Sequence, residues 1–117
     1  PPAKAAADPL LKAATTHPDK ALREDAVHAF AAVLGADGVK ARAADMIKLM
    51  EADAEYEVRL AAVEELGALG PAAKDDAAIL PALRRRQSDP QVKVRQAAAA
   101  AVRRIEKKAD PKAPDKK

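Results

Sequence analysis

The sequence has no cysteine and no tryptophan, and its aromatic residues are limited to Phe30 and Tyr56. Without cysteine the chain forms neither a disulfide framework nor a thiolate site, and the redox compartment stays open. Proteins that stack or flip nucleic-acid bases use aromatic side chains as platforms, which are scarce here. Ser88 is the single serine, and His17 and His28 are the two histidines. Because nucleophiles and metal ligands are so few, we expect no enzyme activity, no metal site and no cofactor.

Long hydrophobic runs are also absent. A membrane-spanning helix needs about 20 consecutive apolar residues, and no stretch approaches that length, so a membrane partner is not expected. The sequence carries no signal peptide and no initiating methionine, and we expect a processed protein or a piece of a longer chain. The compartment stays unknown: a cytoplasmic location is slightly favoured, with export of a processed chain as the alternative.

Alanine is the residue that the sequence has in abundance. Of the 117 residues 32 are alanine, which leaves few large apolar side chains although 49% of the chain is hydrophobic. Alanine is the best helix former and buries little surface, so it favours closely approached helices around a thin core. The composition therefore predicts a single all-α domain.

A 36-residue period runs through the chain. Segment 89–105 repeats the layout of 53–69, and Arg95, Arg59 and Arg23 follow one another at that interval. Repeats of this length are typical of solenoids, in which each unit buries its apolar face on the next. Four apolar columns with helical spacing keep the same register over three copies: Leu22/Val58/Val94, Ala26/Ala62/Ala98, Phe30/Leu66/Val102 and Val33/Leu69/Ile105.

Three units are predicted, at 1–36, 37–72 and 73–108, and each is a hairpin of two antiparallel helices. The fold is then an α-solenoid, or superhelix, of three hairpins. A tail at 109–117, with prolines and charges but no apolar anchor, is expected to be a disordered basic segment. The predicted helices cover about 8–16, 17–34, 39–52, 55–69, a stretch that begins near 72, and 88–108. The buried face predicted for the third helix is Ala43, Met46, Ile47 and Met50.

Turn and capping residues mark the predicted helix ends. Asp8-Pro9 and Ser88-Asp89-Pro90 resemble helix starts, with Ser88 as a cap. Gly35 is expected to stop the second helix, and Asp37-Gly38 to form a turn that caps the third. Pro81 falls inside the helix that begins near 72, where it is expected to remove a backbone hydrogen bond and cause a kink.

Residues of the second and third copies resemble the HEAT repeat, especially its bacterial PBS-lyase-like variety. The first copy departs from that pattern because His17 stands where a turn aspartate is expected. The resemblance covers about 1–108 and implies the solenoid fold, but scaffolds, transport factors and lyase subunits all use this repeat. Its carriers are the run 79–83, Asp89-Pro90, Val94-Arg95 and Ala97-Ala98 in the third copy, and Asp53, Val58-Arg59 and Ala61-Ala62 in the second.

The resemblance also implies roles for particular residues. In similar repeats the arginine of this column pairs with the turn aspartate of its own or the adjacent unit, which forms an internal ladder. That implies a structural role for Arg23, Asp53, Arg59, Asp89 and Arg95. Second helices of such repeats line the concave surface, and their exposed positions are the interaction candidates, with Leu60 the best of them: Glu24, His28, Leu60, Glu64, Gln96, Ala100 and Arg103.

Charge is unevenly distributed along the chain. Residues 1–83 hold 9 Lys or Arg and 14 Asp or Glu, whereas 84–117 hold 12 and 4, so the net charge changes from −5 to +8. The basic end could attract an acidic protein surface or a phosphate backbone. The alternative is a solvated helix end whose charge complements the helix dipole. The basic end comprises Arg84, Arg85, Arg86, Arg104, Lys107 and Lys108.

These patterns predict a non-catalytic protein-interaction or scaffolding module that binds a protein partner, favoured to be acidic, through its concave face. The alternatives are sequence-nonspecific nucleic-acid binding by the basic end and a non-catalytic part of a lyase-type protein. Because the last helix keeps its apolar stripe, stacking on further repeats of a longer chain or on a second copy is also expected.

The adjacent pairs Glu64-Glu65 and Asp75-Asp76 diverge by about 100° on a helix, so we interpret them as solvated.

Overall fold

The computed structural model describes residues 5–107, and this part of the chain contains helices and no strand. The all-α prediction is therefore confirmed. The predicted tail at 109–117 and Lys108 lie outside the described residues. In chain order the elements are α1 Ala7–Thr16, α2 Lys20–Ala41, α3 Ala43–Ala52, α4 Tyr56–Gly67, a 3-10 turn Gly70–Ala73, α5 Ile79–Arg86 and α6 Val92–Glu106.

The helices pack in pairs and the pairs pack in a row. α1 packs on α2, α3 on α4 and α5 on α6, and short connections make the two members of each pair run in opposite directions. The second helices α2, α4 and α6 lie side by side in extensive contact, whereas α1, α3 and α5 form a second layer in lighter contact. This two-layered row is the α-solenoid that the 36-residue period predicted.

The core between the layers is thin. Ala62 and Ala98 are completely buried, and a few large side chains fill the space between the helix pairs. The closest approach is between α4 and α6, where a Cβ added at Gly67 would lie 2.7 Å from the Cβ of Ala101. Small residues thus let the second helices approach each other closely, as the alanine content predicted. The largest fully buried side chains are Phe30, Met46, Met50, Leu66, Ile79, Leu83 and Ile105.

One predicted core residue lies at the surface. Leu22 is 46% exposed, although its counterparts in the repeat, Val58 and Val94, are completely buried. In the described chain α2 has no second helix before it, whereas α4 and α6 each do, so nothing covers that side of Leu22. Three other predicted core residues are only partly buried: Val33, Ile47 and Leu69.

The boundary between α2 and α3 differs from the prediction. Gly35 has φ 71° and ψ 175°, a conformation that favours glycine, and it interrupts α2 after Leu34. The chain returns to helical geometry at once, however, and α3 begins at Ala43 rather than near 39. The turn predicted at Asp37-Gly38 therefore lies within the last part of α2.

Arg42 explains why the chain bends between these two helices. Its guanidinium donates to the carboxylates of Asp45 and Asp8, at 2.9 Å each, and lies 5.4 Å from the centroid of the Phe30 ring. One side chain thus joins α1, α2 and α3. Asp8 lies inside the first turn of α1 and is not its N-cap; the N-cap residue is Ala6, which makes no side-chain hydrogen bond.

The third helix pair begins later than predicted. Asp76 accepts hydrogen bonds from the backbone N–H groups of Ala78 and Ile79 at 2.9 and 3.1 Å, and α5 begins there. Pro81 consequently lies in the first turn, where N–H groups have no partner within the helix, so the kink prediction was wrong. Asp76 was also wrongly interpreted as solvated. Ser88 is not the cap of α6, because Gln91 is the N-cap residue.

Candidate interaction surfaces

The arginine column forms an ion-pair ladder between successive helix pairs. Arg23 donates through Nε and Nη2 to the two carboxylate oxygens of Asp53 at 2.9 and 3.1 Å. Arg59 makes the same bidentate contact with Asp89 at 2.9 Å for both bonds. In each case the acceptor lies 30 residues later, so each arginine of a second helix binds the turn of the following pair. These contacts hold the units in register.

Each arginine also binds its own turn. Nη1 of Arg59 donates to the carbonyls of Asp53 and Ala54 at 2.9 and 3.2 Å. Arg23 makes the equivalent bonds to the carbonyls of His17 and Pro18. One edge of each guanidinium is therefore held by its own unit, and the other edge faces the next unit.

The turn residue has a second role within its own unit. Asp53 and Asp89 accept hydrogen bonds through Oδ1 from the backbone N–H two residues later, at 2.9 Å each. His17, which stands at the corresponding position of the first unit, accepts from the N–H of Asp19 through Nδ1 at 3.0 Å. The imidazole thus replaces the carboxylate in shaping the turn, but it brings no negative charge to the ladder.

Burial and hydrogen bonding shift the pKa values of the ladder. Burial raises the pKa of Asp89, but hydrogen bonds from Arg59 and from the Gln91 backbone, together with the charges of Arg59 and Arg86, outweigh it, so the pKa lies below its ordinary value. The hydrogen bond to Asp89 raises the pKa of Arg59. The bond to Asp53 likewise raises the pKa of Arg23. Arg23, Arg59 and Asp89 therefore stay charged at neutral pH.

The interaction candidates from the sequence all lie on the layer of second helices. We call the side chains of α2, α4 and α6 at these positions the second-helix face. Three of them are half-buried, and the four toward the C-terminal end are exposed. The face comprises Glu24 and His28 on α2, Leu60 and Glu64 on α4, and Gln96, Ala100 and Arg103 on α6.

His28 and Glu65 connect α2 to α4 across this layer. His28 Nδ1 lies 2.5 Å from Glu65 Oε2, and the two side chains are 41% and 26% exposed. The prediction that Glu65 is solvated is therefore wrong, because its carboxylate is partly buried against His28. The spacing of 37 residues between the two gives no signal of its own, because the pairing depends on how the helices rotate against each other.

Two shallow grooves run between the second helices. The groove between α2 and α4 has a volume of about 190 Å³ and is bordered by Ala32, Gly35, Glu65 and Leu69, among others. The groove between α4 and α6 holds about 280 Å³, with edges that include Glu64, Ala97, Ala100 and Arg104. Small residues in the grooves leave the backbone open to a partner, and charged residues stand at their edges.

Most arginines of the predicted basic end already have carboxylate partners. Arg84 pairs with Glu106, Arg85 with Glu51 at 2.8 Å, and Arg86 with Asp89 at 2.8 Å. No carboxylate within 4.0 Å faces Arg103 or Arg104 among residues 5–107. The positive charge of the basic end that is open to a partner is therefore concentrated on α6. It lies next to a depression of about 580 Å³ that is lined by Ala100, Arg103, Arg104, Glu106 and Lys107.

Residues 5–107 lack two further kinds of site. No group of three or more His, Cys, Asp or Glu side chains there could hold a metal ion. No helix in this part of the chain has the length and apolar character needed to cross a bilayer. The features that carry information about function are thus the second-helix face and the two ends of the ladder.

The fold and its ladder define a class of protein. Helix pairs with a common period, stacked in two layers and joined by the same arginine–aspartate contact at successive units, make an α-solenoid of helical repeats.

The chain belongs to the HEAT repeat family, because the model of the family described as HEAT repeats matches residues 43–116. The resemblance to the HEAT repeat seen in the sequence is thereby confirmed over these residues. Searches among curated proteins and among solved structures each found no match. HEAT repeats generally form non-catalytic scaffolds that mediate protein–protein interaction.

Proposed function

We propose that this chain is a non-catalytic scaffolding module that binds a protein partner along the second-helix face. The observation that carries the proposal is the continuous layer of α2, α4 and α6, with its two grooves of small residues between charged edges. A binding surface built on packed helices holds its side chains in fixed positions, which lowers the entropy lost on binding.

The charge of this face supports a choice of partner. Its α2 and α4 parts carry Glu24 and Glu64, with Glu65 at the first groove beside them, whereas its α6 part carries Arg103, with Arg104 at the second groove. An acidic region of a partner is therefore directed to α6, and complementary charges of this kind raise association rates and set orientation.

Matched alanine substitutions test the proposal. Ala32→Glu and Ala100→Glu place a charged side chain at the edges of the two grooves, while Ala44→Glu makes the same change at an exposed position of α3 in the other layer. The four proteins are immobilised, exposed to a lysate of the source with and without nuclease, and eluted with a salt gradient. We expect a set of nuclease-resistant proteins bound by wild type and Ala44→Glu and lost from the two groove variants.

Equal retention by all four proteins would contradict the use of this face. Recovery of nuclease-sensitive material alone, released at low salt, would favour the alternative of nucleic-acid binding by the basic end. That alternative is the weaker one, because Arg84, Arg85 and Arg86 are each paired with a carboxylate. A phosphate backbone would have to displace those partners.

A further inference from the structure

Arg95 makes half of the bonds that its counterparts make. Its Nη1 donates to the carbonyls of Asp89 and Pro90 at 2.9 and 3.1 Å, as Arg23 and Arg59 do with their own turns. The Nε and Nη2 edge, which binds an aspartate in both other rungs, has no acceptor within residues 5–107. The guanidinium is thus held in the ladder geometry with its carboxylate-binding edge open.

The surroundings of Arg95 form the outward face of α6, which we define as Val92, Arg95, Ala99 and Arg103. One period earlier, the corresponding positions of α4 are Tyr56, Arg59, Val63 and Gly67, of which Val63 and Gly67 lie beside α6 and Arg59 binds Asp89 in the turn before it. Val63 is completely buried, whereas Val92 is 45% exposed and Ala99 is half-buried. The outward face therefore combines an oriented guanidinium with a small apolar area and a second arginine.

A further helix pair cannot pack here as α6 packs on α4. At this register position α2 and α4, which each pack on a following helix, carry the small residues Ala31 and Gly67, whereas α6 carries the long side chain of Arg103. A second copy of the chain is also a poor occupant, because its first turn presents His17 in place of the aspartate. The occupant that fits is a narrower element than a helix pair, and it carries carboxylates.

We propose that the outward face of α6 binds an acidic segment of a partner protein, with an aspartate or glutamate carboxylate bound bidentately by Arg95 and a second one near Arg103. The carboxylate is favoured over a phosphate because the two internal rungs bind carboxylates with the same edge. Arg95 and Arg103 are eight residues apart on a helix, about 12 Å. In an extended segment, acidic residues four positions apart span about 13 Å. The site shares Arg103 with the second-helix face but is centred on Arg95, and it does not depend on the function proposed for that face.

The test uses the full chain and a capped heptapeptide with two aspartates four residues apart, otherwise alanine, beside a control peptide with asparagines at those positions. NMR titration follows the arginine Nε–H signals. We expect the aspartate peptide to shift the Arg95 signal while those of Arg23 and Arg59 stay in place, and the control peptide to shift none of them.

Substitutions distinguish the contribution of the bidentate guanidinium geometry from the contribution of positive charge alone. Arg95→Gln should weaken binding about tenfold, the effect of losing a charge-assisted bidentate contact. Arg95→Lys should weaken it nearly as much, because it keeps the charge but not the planar fork. The matched control Arg104→Gln removes the same charge from another side of α6, and it is expected to weaken peptide binding by about twofold or less. Circular dichroism verifies that each variant is folded. If Arg95→Gln does not fold, Arg95→Lys alone tests the contribution of the bidentate contact.

Five results would overturn the proposal. The first two are equal losses in Arg95→Gln and Arg104→Gln, and no binding of the aspartate peptide. The third is an Arg95 signal that a 12-nucleotide thymidine strand shifts and the peptide does not, which would assign the site to phosphate. The fourth is an Arg95-dependent dimer in sedimentation, which would assign it to a second copy. The fifth is a shift of the Arg95 signal in the double variant Asp110→Asn/Asp115→Asn without peptide, which would assign the site to the chain's own C-terminal residues.

Discussion

Asp89 is bound by two arginines, and its side chain is completely buried. Arg59 contacts both of its carboxylate oxygens, and Arg86 contacts one of them at 2.8 Å. The first rung is less enclosed, since Arg23 and Asp53 are 14% and 8% exposed and Asp53 is bound by one arginine. At the scale of residues, the two rungs should therefore differ in their contribution to stability.

Asp89→Asn should destabilise the fold more than Asp53→Asn does. Asparagine at position 89 leaves the buried guanidinium of Arg59 and the partly buried one of Arg86 without a charge partner, for an expected loss of about 3 kcal/mol in the free energy of unfolding. At position 53 the expected loss is about 1 to 2 kcal/mol. Urea unfolding followed by circular dichroism measures both. Asp37→Asn is the control, since Asp37 is exposed and a change of less than about 0.5 kcal/mol is expected; equal losses at 53 and 89 would contradict the ranking.

The same carboxylate gives stability a dependence on acid pH. Because the pKa of Asp89 is lower in the folded chain than in the unfolded chain, the stabilisation is complete above the unfolded pKa of about 3.9 and is lost as the pH falls through the folded value. Unfolding measured from pH 6 to pH 2 should show a smaller decline for Asp89→Asn than for wild type. Parallel curves would mean that other carboxylates cause the acid sensitivity.

At the scale of helices, close approach is the property that distinguishes α4 and α6. Gly67 ends α4 where that helix meets Ala101, and the space between them is smaller than one methyl group requires. The second helices can lie this close because their contact positions carry glycine and alanine. The grooves of the second-helix face exist for the same reason.

Gly67→Ala should lower stability although alanine is the better helix former. The helix gains at most about 1 kcal/mol from the change, while a Cβ 2.7 Å from one Ala101 atom and 3.2 Å from another must push the helices apart, at about 1 to 3 kcal/mol. Thermal unfolding measures the net effect. Ala101→Gly in the same chain should restore part of the loss, and a double variant no better than Gly67→Ala would show that the clash is not the cause.

Much of this architecture could be predicted from the sequence because the repeat shows which positions are equivalent. The period identified the helix pairs, most of the buried columns and the residues of the ladder. It could not place the start of α3, since that depends on Arg42 reaching Asp8 and Asp45 across two other helices. It also missed the contact of His28 with Glu65, which depends on how the helices rotate against each other. The exposure of Leu22 shows a second limit of the repeat as a guide. Positions that are equivalent in the repeat have the same surroundings only where a helix pair has a neighbour on each side.

At the scale of the whole molecule, stability should be distributed in steps along the row. Each unit contacts its neighbours, and one rung of the ladder joins each neighbouring pair. Repeat proteins of this kind open from their ends when an interface between units is weakened. The more exposed first rung makes the N-terminal unit the easier one to release.

Hydrogen exchange should reveal these steps. Asp53→Asn is expected to speed amide exchange in α1 and α2 while α5 and α6 keep their protection, and Asp89→Asn should speed exchange in α5 and α6 most strongly. Mass spectrometry of peptic fragments locates the change. Uniform acceleration through all helices in both variants would instead indicate that the chain unfolds as one cooperative unit.

The histidine at position 17 also has a consequence for assembly. A ladder with an acceptor at one end and a donor at the other would make the two ends complementary. Head-to-tail contacts of that type generate filaments unless the rotation between copies closes them into a ring. In the described chain the first turn offers an imidazole, engaged with its own turn, where an aspartate would be needed. The open guanidinium of Arg95 thus finds no matching aspartate at the first turn of another copy. Replacing that single residue with aspartate would remove this barrier to polymerisation, leaving the bulk of Arg103 to oppose it.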